Sequence, residues 1–356
     1  MTISQLSLTD FRNLRPATLD FHQGLNLICG ENGSGKTSLL EAIHVLCRAQ
    51  SFRTHQLKQC IHSSQEGFLL FGKFSGYQAG LTKSKSKLEI HLDGEPVERR
   101  SELVRQTPVN IANADSFELI DGSPKIRRRF LDWCLFHVEP EYADCWMLHQ
   151  HALKQRNRLL KSRRDRHLVD YWDRHLIEPS LQISQMRQNA VSELRQVLDE
   201  ELQPIRLTLD IQLEYQAGWS GDLSLAEALE QNRERDFQAG FTQVGIHRDD
   251  VILRVGENPA AEILSRGQGK RLCLAMLIGA LKLVGRKSPK RMILLIDDLH
   301  SELDSTAQSQ VYAQLLELDL QLFVSNIDTL IPSPLKGKEF KMFHVEHGTR
   351  KPRIFS

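Results

Sequence analysis

A glycine-rich run near the N-terminus has the residue types needed to bind phosphate groups. The run is Gly30-Glu31-Asn32-Gly33-Ser34-Gly35-Lys36-Thr37, followed by Ser38, and it fits the pattern G-x-x-x-x-G-K-[ST]. Glycines let several backbone N–H groups face one anion, and a following helix adds its positive N-terminal end. The residues from Gly30 to Ser38 are therefore predicted nucleotide contacts, with Lys36 at the β- and γ-phosphates and Thr37 at Mg²⁺. The apolar run before the loop and the helical spacing after it predict the strand and helix that this loop requires.

A second candidate group is a pair of acids at the end of an apolar run. Met292–Ile296 has the continuous apolar character of a strand buried on both faces, and Asp297 and Asp298 follow it. Parallel sheets bind ligands at the carboxyl ends of their strands. We therefore predict that Asp297 holds Mg²⁺ and that Asp298, together with Lys36, is catalytic and polarises an attacking water. The alternative is a core strand followed by a solvated acidic turn, and the phosphate loop weakens it.

A third motif, Leu264-Ser265-Arg266-Gly267-Gln268, precedes an apolar-rich helical stretch. A serine at a helix start followed by glycine creates an anion-binding end. The motif resembles the L-S-G-G-Q signature of ABC-type ATPases, with Arg266 in place of the first glycine. That resemblance implies that Ser265, Gly267 and Gln268 complete the nucleotide site of a second copy of the chain. A plain helix N-cap remains the alternative.

Two shorter segments complete the resemblance to ABC-type ATPases. Ser301-Glu302-Leu303-Asp304 resembles the D-loop, and Ser325-Asn326 stands where many members carry a switch histidine. Asp298 stands where most members have Glu, which is one methylene longer, and this shortening hints at slow hydrolysis. The order of the loop, signature, acid pair and D-loop is specific for the class.

The pattern of strands and helices along the chain predicts an α/β fold, an ABC-type ATPase head with a mostly parallel sheet and an inserted helical arm. Strand and helix signals alternate in the last third, as parallel sheets require. Residues 125–202 contain no glycine and read as long polar helices. We therefore expect an N-terminal core part at 1–120, a helical arm at 121–205 and a C-terminal core part at 206–356.

Two basic clusters are candidates for contact with the DNA backbone. The first lies on a helical stretch and comprises Lys154, Arg156, Arg158, Lys161, Arg163, Arg164 and Arg166; the second comprises Lys125, Arg127, Arg128 and Arg129. Several cations are needed for backbone-directed binding. A solvated helix face is the alternative for both clusters, and internal salt bridges are equally plausible for the second. Neither run has interleaved aromatic residues for stacking single-stranded bases, which favours sequence-independent duplex contact. His247–Asp250 is either structural or a DNA-facing loop.

Composition limits the class of protein. The 356 residues carry a net charge of only +1, which argues against a generally basic nucleic-acid coat. The six cysteines form no C-x-x-C pair, so a zinc site is not expected and a reducing cytosol fits. The sequence contains no signal-peptide pattern and no apolar stretch of about 20 residues. We therefore predict a cytoplasmic protein with no membrane partner.

Several segments of the chain resemble the RecF family in particular. They include LSLTDFRNL at the start, GSPKIRRRFLDWCLFH at 122–137, TQVGIHRDD at 242–250 and MFHVEHG at 342–348. The resemblance implies a weak, DNA-stimulated ATPase that dimerises on ATP. It implies binding to single-stranded, duplex or gapped DNA, and cooperation with RecR- and RecO-type mediators in loading recombinase. It makes Arg12 a candidate nucleotide contact and places Asp115 at the Q-loop position.

A transporter ATPase subunit and an SMC-like chromosome protein remain the alternative functions. The basic helical insertion fits a transporter poorly. An SMC protein needs a long coiled coil, and about 80 helical residues without sustained heptads are too few.

Overall fold

The structure, a computed structural model, describes residues 1–162, 166–202, 209–298, 305–327, 334, 337, 339–346 and 353–355. The chain forms two compact units. Unit 1 comprises Met1–Phe117 and Ser288–Ser356, and unit 2 comprises Glu118–Lys287. No helix in the described ranges is both long and apolar enough to cross a bilayer.

The central sheet of unit 1 is mostly parallel, as predicted. Its strands, in spatial order, are β15 (Arg353–Phe355), β14 (Phe340–Glu346), β3 (Leu25–Cys29), β13 (Leu320–Asn326), β12 (Met292–Ile296) and β8 (Val109–Ala112). Neighbours from β14 to β8 pair in parallel, and β15 pairs antiparallel at the edge. Every residue of β3, β12 and β13 is buried, because the middle strands are covered on both faces.

A second sheet in unit 1 is antiparallel. It runs in the order β2 (Ala17–Asp20), β1 (Ile3–Thr9), β4 (Gly67–Phe74), β5 (Tyr77–Ser84), β6 (Leu88–Leu92) and β7 (Glu95–Pro96). Asp93 and Gly94 join β6 to β7 with φ of 51° and 89°, which confirms the tight turn that this pair predicts. Burial alternates along β5, where Tyr77, Ala79 and Leu81 face the core.

Helix α1 (Lys36–Arg48) joins the two sheets of unit 1 into one core. Leu39, Ile43 and Leu46 are fully buried, in the same apolar cluster as residues of both sheets. This packing fixes the helix whose first turn follows the glycine-rich loop. The remaining described helices of the unit are α2 (Arg100–Gln106) and α10 (Ser305–Leu316), with short 3-10 helices at Leu57–Cys60 and Ala114–Leu119.

Unit 2 is built on a long helical hairpin. Its elements are α3 (Pro124–Val138), α4 (Tyr142–Ser162), α5 (Arg166–Leu202), β9 (Ile211–Gln216), α6 (Leu225–Gln231), α7 (Arg233–Ala239), β10 (Asp250–Val255), β11 (Asn258–Pro259), α8 (Ala260–Ile263) and α9 (Arg266–Lys287). Strands β9, β10 and β11 form an antiparallel sheet. Helices α4 and α5 form the hairpin, and α5 also packs on α9.

The division into units differs from the predicted domain boundaries. The C-terminal core part predicted at 206–356 is divided between the units: its described residues 209–287 lie in unit 2 with the helical segment, and the part from Ser288 onward lies in unit 1. The physical reason is that α9 packs against α5 and α3, and β9 against α5. Apolar periodicity places a helix in sequence but does not show which neighbour covers it.

Candidate nucleotide-binding site

The glycine-rich loop has a backbone that requires glycine. Gly30, Gly33 and Gly35 have φ of 153°, 78° and 120°, a region that L side chains rarely adopt. A Cβ atom on Gly30 would also lie 2.3 Å from the carbonyl oxygen of Val345. The loop follows the buried strand β3 and leads directly into α1, which confirms the strand–loop–helix context predicted for phosphate binding.

Lys36, at the start of α1, points its ammonium group back into the loop. Its Nζ donates hydrogen bonds to the carbonyl oxygens of Gly30 at 2.7 Å and Glu31 at 3.0 Å. Burial lowers the pKa of Lys36, while the carboxylates of Asp298 and Asp297 oppose that shift. The lysine is thus a cation held among backbone acceptors, close enough to the acid pair to interact with it electrostatically.

The acid pair and the loop meet although about 260 residues separate them in sequence. The Thr37 hydroxyl donates to Oδ1 of Asp297 at 3.1 Å, and the Ser325 hydroxyl donates to the same oxygen at 2.8 Å. The backbone N–H of Asp298 in turn donates to Ser325 Oγ at 2.9 Å. Ser325 therefore holds both acids in place from β13, a positioning role that the sequence did not reveal.

Asp297 has the electrostatics expected of a cation ligand. Burial raises the pKa of Asp297, although the hydrogen bonds from Ser325 and Thr37 lower it and so oppose part of that shift. A divalent cation beside this carboxylate would offset the burial. Within the described ranges no three His, Cys, Asp or Glu side chains form a metal cage. Mg²⁺ at nucleotide sites typically uses one or two protein oxygens together with phosphates and waters, so Thr37 and Asp297 fit it.

The loop also contains a buried hydroxyl suited to an added acceptor. Ser34 is fully buried, and its Oγ has no hydrogen-bond partner in the described part of the chain. Buried hydroxyls are normally hydrogen-bonded, and an unpaired one is costly. Together with the positive-φ loop, this atom fits a site made for the oxygens of a phosphate chain. The predicted loop residues, Thr37 and Asp297 thus lie in one place.

Arg12 and Ser38 have partners that sequence reading missed. Arg12 forms a two-pronged ion pair with Glu41 of α1, at 2.8 Å from Nε and 2.7 Å from Nη2. Glu41 is fully buried; burial raises its pKa, but the bonds from Arg12 and Ser51 outweigh it and the net shift is downward. Ser38 donates to Oδ1 of Asn13 at 2.9 Å. A lone acid on the apolar face of α1 is the signal that could have revealed Glu41.

Ser265 and Gln268 close the first turn of α9 on each other. The Gln268 N–H donates to Ser265 Oγ at 3.3 Å, and the Ser265 N–H donates to Oε1 of Gln268 at 3.0 Å. This is a reciprocal capping arrangement, so the N-cap alternative holds in the isolated chain. Ser265, Arg266 and Gly267 are exposed, and a Cβ on Gly267 would meet no neighbour within 4 Å. The signature residues are therefore capped yet accessible to another molecule.

Some predicted site residues lie outside the described part of the structure. They are Ser301–Asp304 of the D-loop, the side chain of Asp115, and Arg163 and Arg164. Their roles stay predictions. Asn326 is described, and it ends β13 beside Cys29 of β3, with 6% of its surface exposed.

Comparison with known proteins agrees with the motifs. The profile of the family described as RecF/RecN/SMC N terminal domain matches residues 2–351. The DNA replication and repair protein RecF of Shewanella oneidensis is 37% identical over 354 residues, covering 98% of both chains. The RecF protein of Pseudoalteromonas translucida is 38% identical over 360 residues, covering 98% of this chain and 99% of the relative. The chain belongs to the RecF family.

Solved structures support the fold of this RecF-family chain. A RecF–ATP complex, described as a recombination mediator in the RecFOR pathway, has a TM-score of 0.87 at 22% identity and covers 100% of this chain and 98% of its own. An Smc head bound to the winged-helix domain of ScpA has a TM-score of 0.61 at 14% identity, with 100% and 97% covered. The chain therefore has the α/β ATPase-head fold that the motif order predicts.

The structure corrects one predicted DNA contact of the RecF-family chain. Arg156 of the first basic cluster is fully buried, and it is ion-paired with Asp173 at 2.5 Å and Asp236 at 2.7 Å. It cannot reach a phosphate without breaking both pairs. Its position on the inward face of α4 is the cause, since Lys154, Arg158 and Lys161 on the other face are exposed.

In the second basic cluster the salt-bridge alternative holds for Arg127, and Arg128 is engaged by a backbone carbonyl. Arg127 binds both carboxylate oxygens of Asp250, at 2.7 and 2.8 Å, and Arg128 donates to the carbonyl oxygen of Asp249. Asp249 is buried and accepts from Arg187 and Tyr215 at 2.6 Å each. His247, Asp249 and Asp250 therefore have structural contacts within unit 2, while Arg248 between them is exposed.

We expect Gly30→Ala to lower the free energy of unfolding of unit 1 by about 2–4 kcal/mol, from backbone strain and overpacking. The clash would be with the Val345 carbonyl, a backbone atom that cannot rotate away. Calorimetric unfolding of the full chain would measure the change. Gly80→Ala is the matched control, because Gly80 lies in the same unit and a Cβ there makes only ordinary contacts, at 3.8 Å or more. Equal stability of both variants would contradict the assigned loop geometry.

Proposed function

We propose that this RecF-family chain is an ATP-dependent DNA-binding protein of replication and recombinational repair. ATP would join two copies of the chain on DNA, and slow hydrolysis would release them. The observation that carries the proposal is the convergence of Lys36, Thr37 and Asp297 around the glycine-rich loop. The names of its relatives, DNA replication and repair protein RecF, support the biological setting.

Each residue of the nucleotide site has a distinct role in this proposal. The loop N–H groups and Lys36 would bind the phosphates, while Thr37 and Asp297 would hold Mg²⁺. Asp298, on the same β12 end, would orient the attacking water. When bound, Mg²⁺ neutralises the phosphate charge that builds up during phosphoryl transfer. The remaining catalysis is positioning by a preorganised polar site, with Ser325 fixing both acids.

The second copy would contribute the signature end of α9. Ser265, Gly267 and Gln268 are predicted to contact the nucleotide of the partner, which makes ATP part of the interface between copies. The exposure of Ser265 and Gly267 in the single chain supports this role. Arg266, exposed beside them, would add a positive charge that the usual glycine lacks. Each site is incomplete until two chains meet, so ATP binding and dimerisation would be coupled.

The DNA contacts would lie on the outer face of α4. Lys154, Arg158 and Lys161 are exposed there, and none of the three forms an ion pair within the described part of the chain. Arg163 and Arg164 continue the same basic run. Such cations would bind the phosphate backbone without reading sequence. Association with RecR- and RecO-type mediators is part of the proposal, and a related RecF–ATP structure described within the RecFOR pathway supports it.

ATP is expected to convert the wild-type chain from monomer to dimer, and Lys36→Ala is expected to remain monomeric. Removing the ammonium group takes away the cation that is hydrogen-bonded to the loop carbonyls, so ATP affinity should fall by about 100-fold or more. Sedimentation velocity with and without ATP and Mg²⁺ measures both states. Lys73→Ala is the matched control, since Lys73 is an exposed lysine of the same unit. A wild-type chain that stays monomeric with saturating ATP would refute the proposal.

A further inference from the structure

Helices α4 and α5 bring together aromatic and basic side chains that are about 20 residues apart in sequence. The residues are His151, Lys154 and Arg158 of α4 and Tyr171, Trp172 and His175 of α5, here called the arm surface. The ring centroids of His151 and Trp172 lie 5.4 Å apart across the hairpin. The basic run on α4 lacks aromatic neighbours in sequence, and the fold supplies them from α5.

The aromatic rings of the arm surface hold one another in fixed orientations. Tyr171 and Trp172 meet edge to face with centroids 5.2 Å apart, and the Tyr171 and His175 rings are 4.2 Å apart. His175 Nδ1 is also 2.8 Å from the Tyr171 carbonyl oxygen. Trp172 is half-buried in an apolar cluster with Leu176 and Leu229. The ring of Tyr171 thus rests on an anchored neighbour while half of its surface stays exposed.

Exposed apolar surface is concentrated on this hairpin. Of the eleven large apolar side chains that are exposed in the described residues, six lie on α4 and α5, including Leu148 and Leu168. Grouped exposure of this kind indicates an interaction surface rather than ordinary scatter. A partner that contacts it must be compatible with both aromatic rings and positive charge.

The charge around the rings is positive because most nearby acids are already paired. Asp170 pairs with Arg233 at 2.6 Å, and Asp173 pairs with Arg156 at 2.5 Å. Lys154 and Arg158 follow His151 by three and seven residues, so they lie on the same face of α4. Arg174 adds an exposed cation on α5. Glu178 keeps its negative charge, since its hydrogen bond at 2.8 Å comes from the neutral amide of Gln182, but the exposed cations outnumber it. The surface therefore favours an anionic ligand.

We propose that the arm surface binds single-stranded nucleic acid by stacking unpaired bases on Tyr171 and its neighbours, while Lys154 and Arg158 contact the phosphates. This inference rests on the proposed DNA-binding function and specifies its substrate. Unpaired bases expose the π-faces that aromatic side chains stack on, whereas duplex bases cover those faces with their neighbours. The arrangement favours single strands, whereas the linear basic runs by themselves favour sequence-independent duplex contact.

Tyr171→Ala is expected to weaken binding of a labelled oligothymidylate of about 16 nucleotides by about tenfold, with less than about a twofold change for a duplex of equal length. Tyr171→Phe keeps the ring and should bind like the wild type. Leu181→Ala, which removes another exposed apolar group of α5, is the matched control. Fluorescence anisotropy of the full chain with ATP gives all the affinities. Circular dichroism verifies that each variant is folded.

Three outcomes would overturn the stacking site. They are an equal loss on duplex and single strand, no loss on either, or a loss with Tyr171→Phe as large as with alanine. If Tyr171→Ala abolished only association with a mediator protein, the surface would be a protein interface and the inference would also be wrong. Failure of the wild type to bind any DNA with ATP would instead refute the proposed function, so the two failures are distinguishable.

Discussion

Arg156→Ala is expected to lower the free energy of unfolding of unit 2 by about 3–5 kcal/mol at neutral pH. The guanidinium lies between Asp173 and Asp236, at 2.5 and 2.7 Å, and also donates to Thr242 Oγ1 at 2.8 Å. The side chains of Arg156 and Asp236 are fully buried, and that of Asp173 is 10% exposed. Removing the cation leaves the buried Asp236 without its counter-charge and leaves Asp173 with only its longer pair to Arg233, at 3.4 Å.

The measurement can be confined to the unit concerned. All four tryptophans of the sequence, at positions 133, 146, 172 and 219, lie in unit 2, so tryptophan fluorescence during urea unfolding reports on this unit. Arg158→Ala is the matched control, because it removes an exposed arginine two positions along the same helix. We expect that control to change stability by no more than about 0.5 kcal/mol. If both variants were equally stable, the buried assignment of Arg156 would be wrong.

The loss of unfolding free energy in Arg156→Ala should also depend on pH, and it should be smaller at lower pH. Burial raises the pKa of Asp236 in the folded chain, while Arg156 opposes the shift. Without Arg156 the pKa rises further, so the folded variant binds a proton more readily than the unfolded chain does. Such a carboxylate lowers the free energy of unfolding of the protein as pH rises from the pKa of the group in the unfolded chain to its pKa in the folded chain. The difference in free energy of unfolding between Arg156→Ala and the wild type should therefore become smaller as pH falls from about 7 to about 5.

This arginine also illustrates what the sequence could and could not predict. The basic run around Arg156 is visible in the sequence, but all its cations look alike there. Arg156 differs from the exposed cations of the run because it is buried, and its burial depends on contacts with Asp236 and Thr242, about 80 residues further along the chain. Likewise, the basic run on α4 gave no indication of the proposed stacking surface, because Tyr171, Trp172 and His175 come from α5. Contacts between distant segments determine both outcomes.

The nucleotide site was more predictable because its chemistry is local. Strand β3, the glycine-rich loop and the start of α1 form one continuous segment, and strand β12 was predicted with its observed ends. The positive φ values of Gly30, Gly33 and Gly35 follow from the residue type itself. Glu41 and Ser325 were missed since each acts through a partner, Arg12 or Asp297, that only the fold brings near.

Asp298→Asn is expected to lower the rate of ATP hydrolysis by about 100- to 1,000-fold while ATP-dependent dimerisation persists. Asp298 has φ of 53°, in the left-handed region that most side chains avoid, and its N–H is tied to Ser325 Oγ at 2.9 Å. Backbone strain of this kind is often retained at functional sites. Asn tolerates the left-handed region as Asp does. The substitution therefore removes the charge with little change to the backbone, and a loss of turnover can be assigned to the carboxylate.

For this variant, phosphate release measures ATP hydrolysis, and sedimentation measured in parallel reports ATP-dependent dimerisation. Asp297→Asn is the informative comparison, because it alters the predicted Mg²⁺ ligand, whose Oδ1 also accepts hydrogen bonds from Thr37 and Ser325. That variant should lose both turnover and the ATP-dependent dimer. Asp298→Asn should instead accumulate as a long-lived dimer on DNA, since ATP binding is intact and the release step is blocked. Wild-type turnover in Asp298→Asn would assign activation of the water to another group, and loss of the dimer would give Asp298 a part in binding.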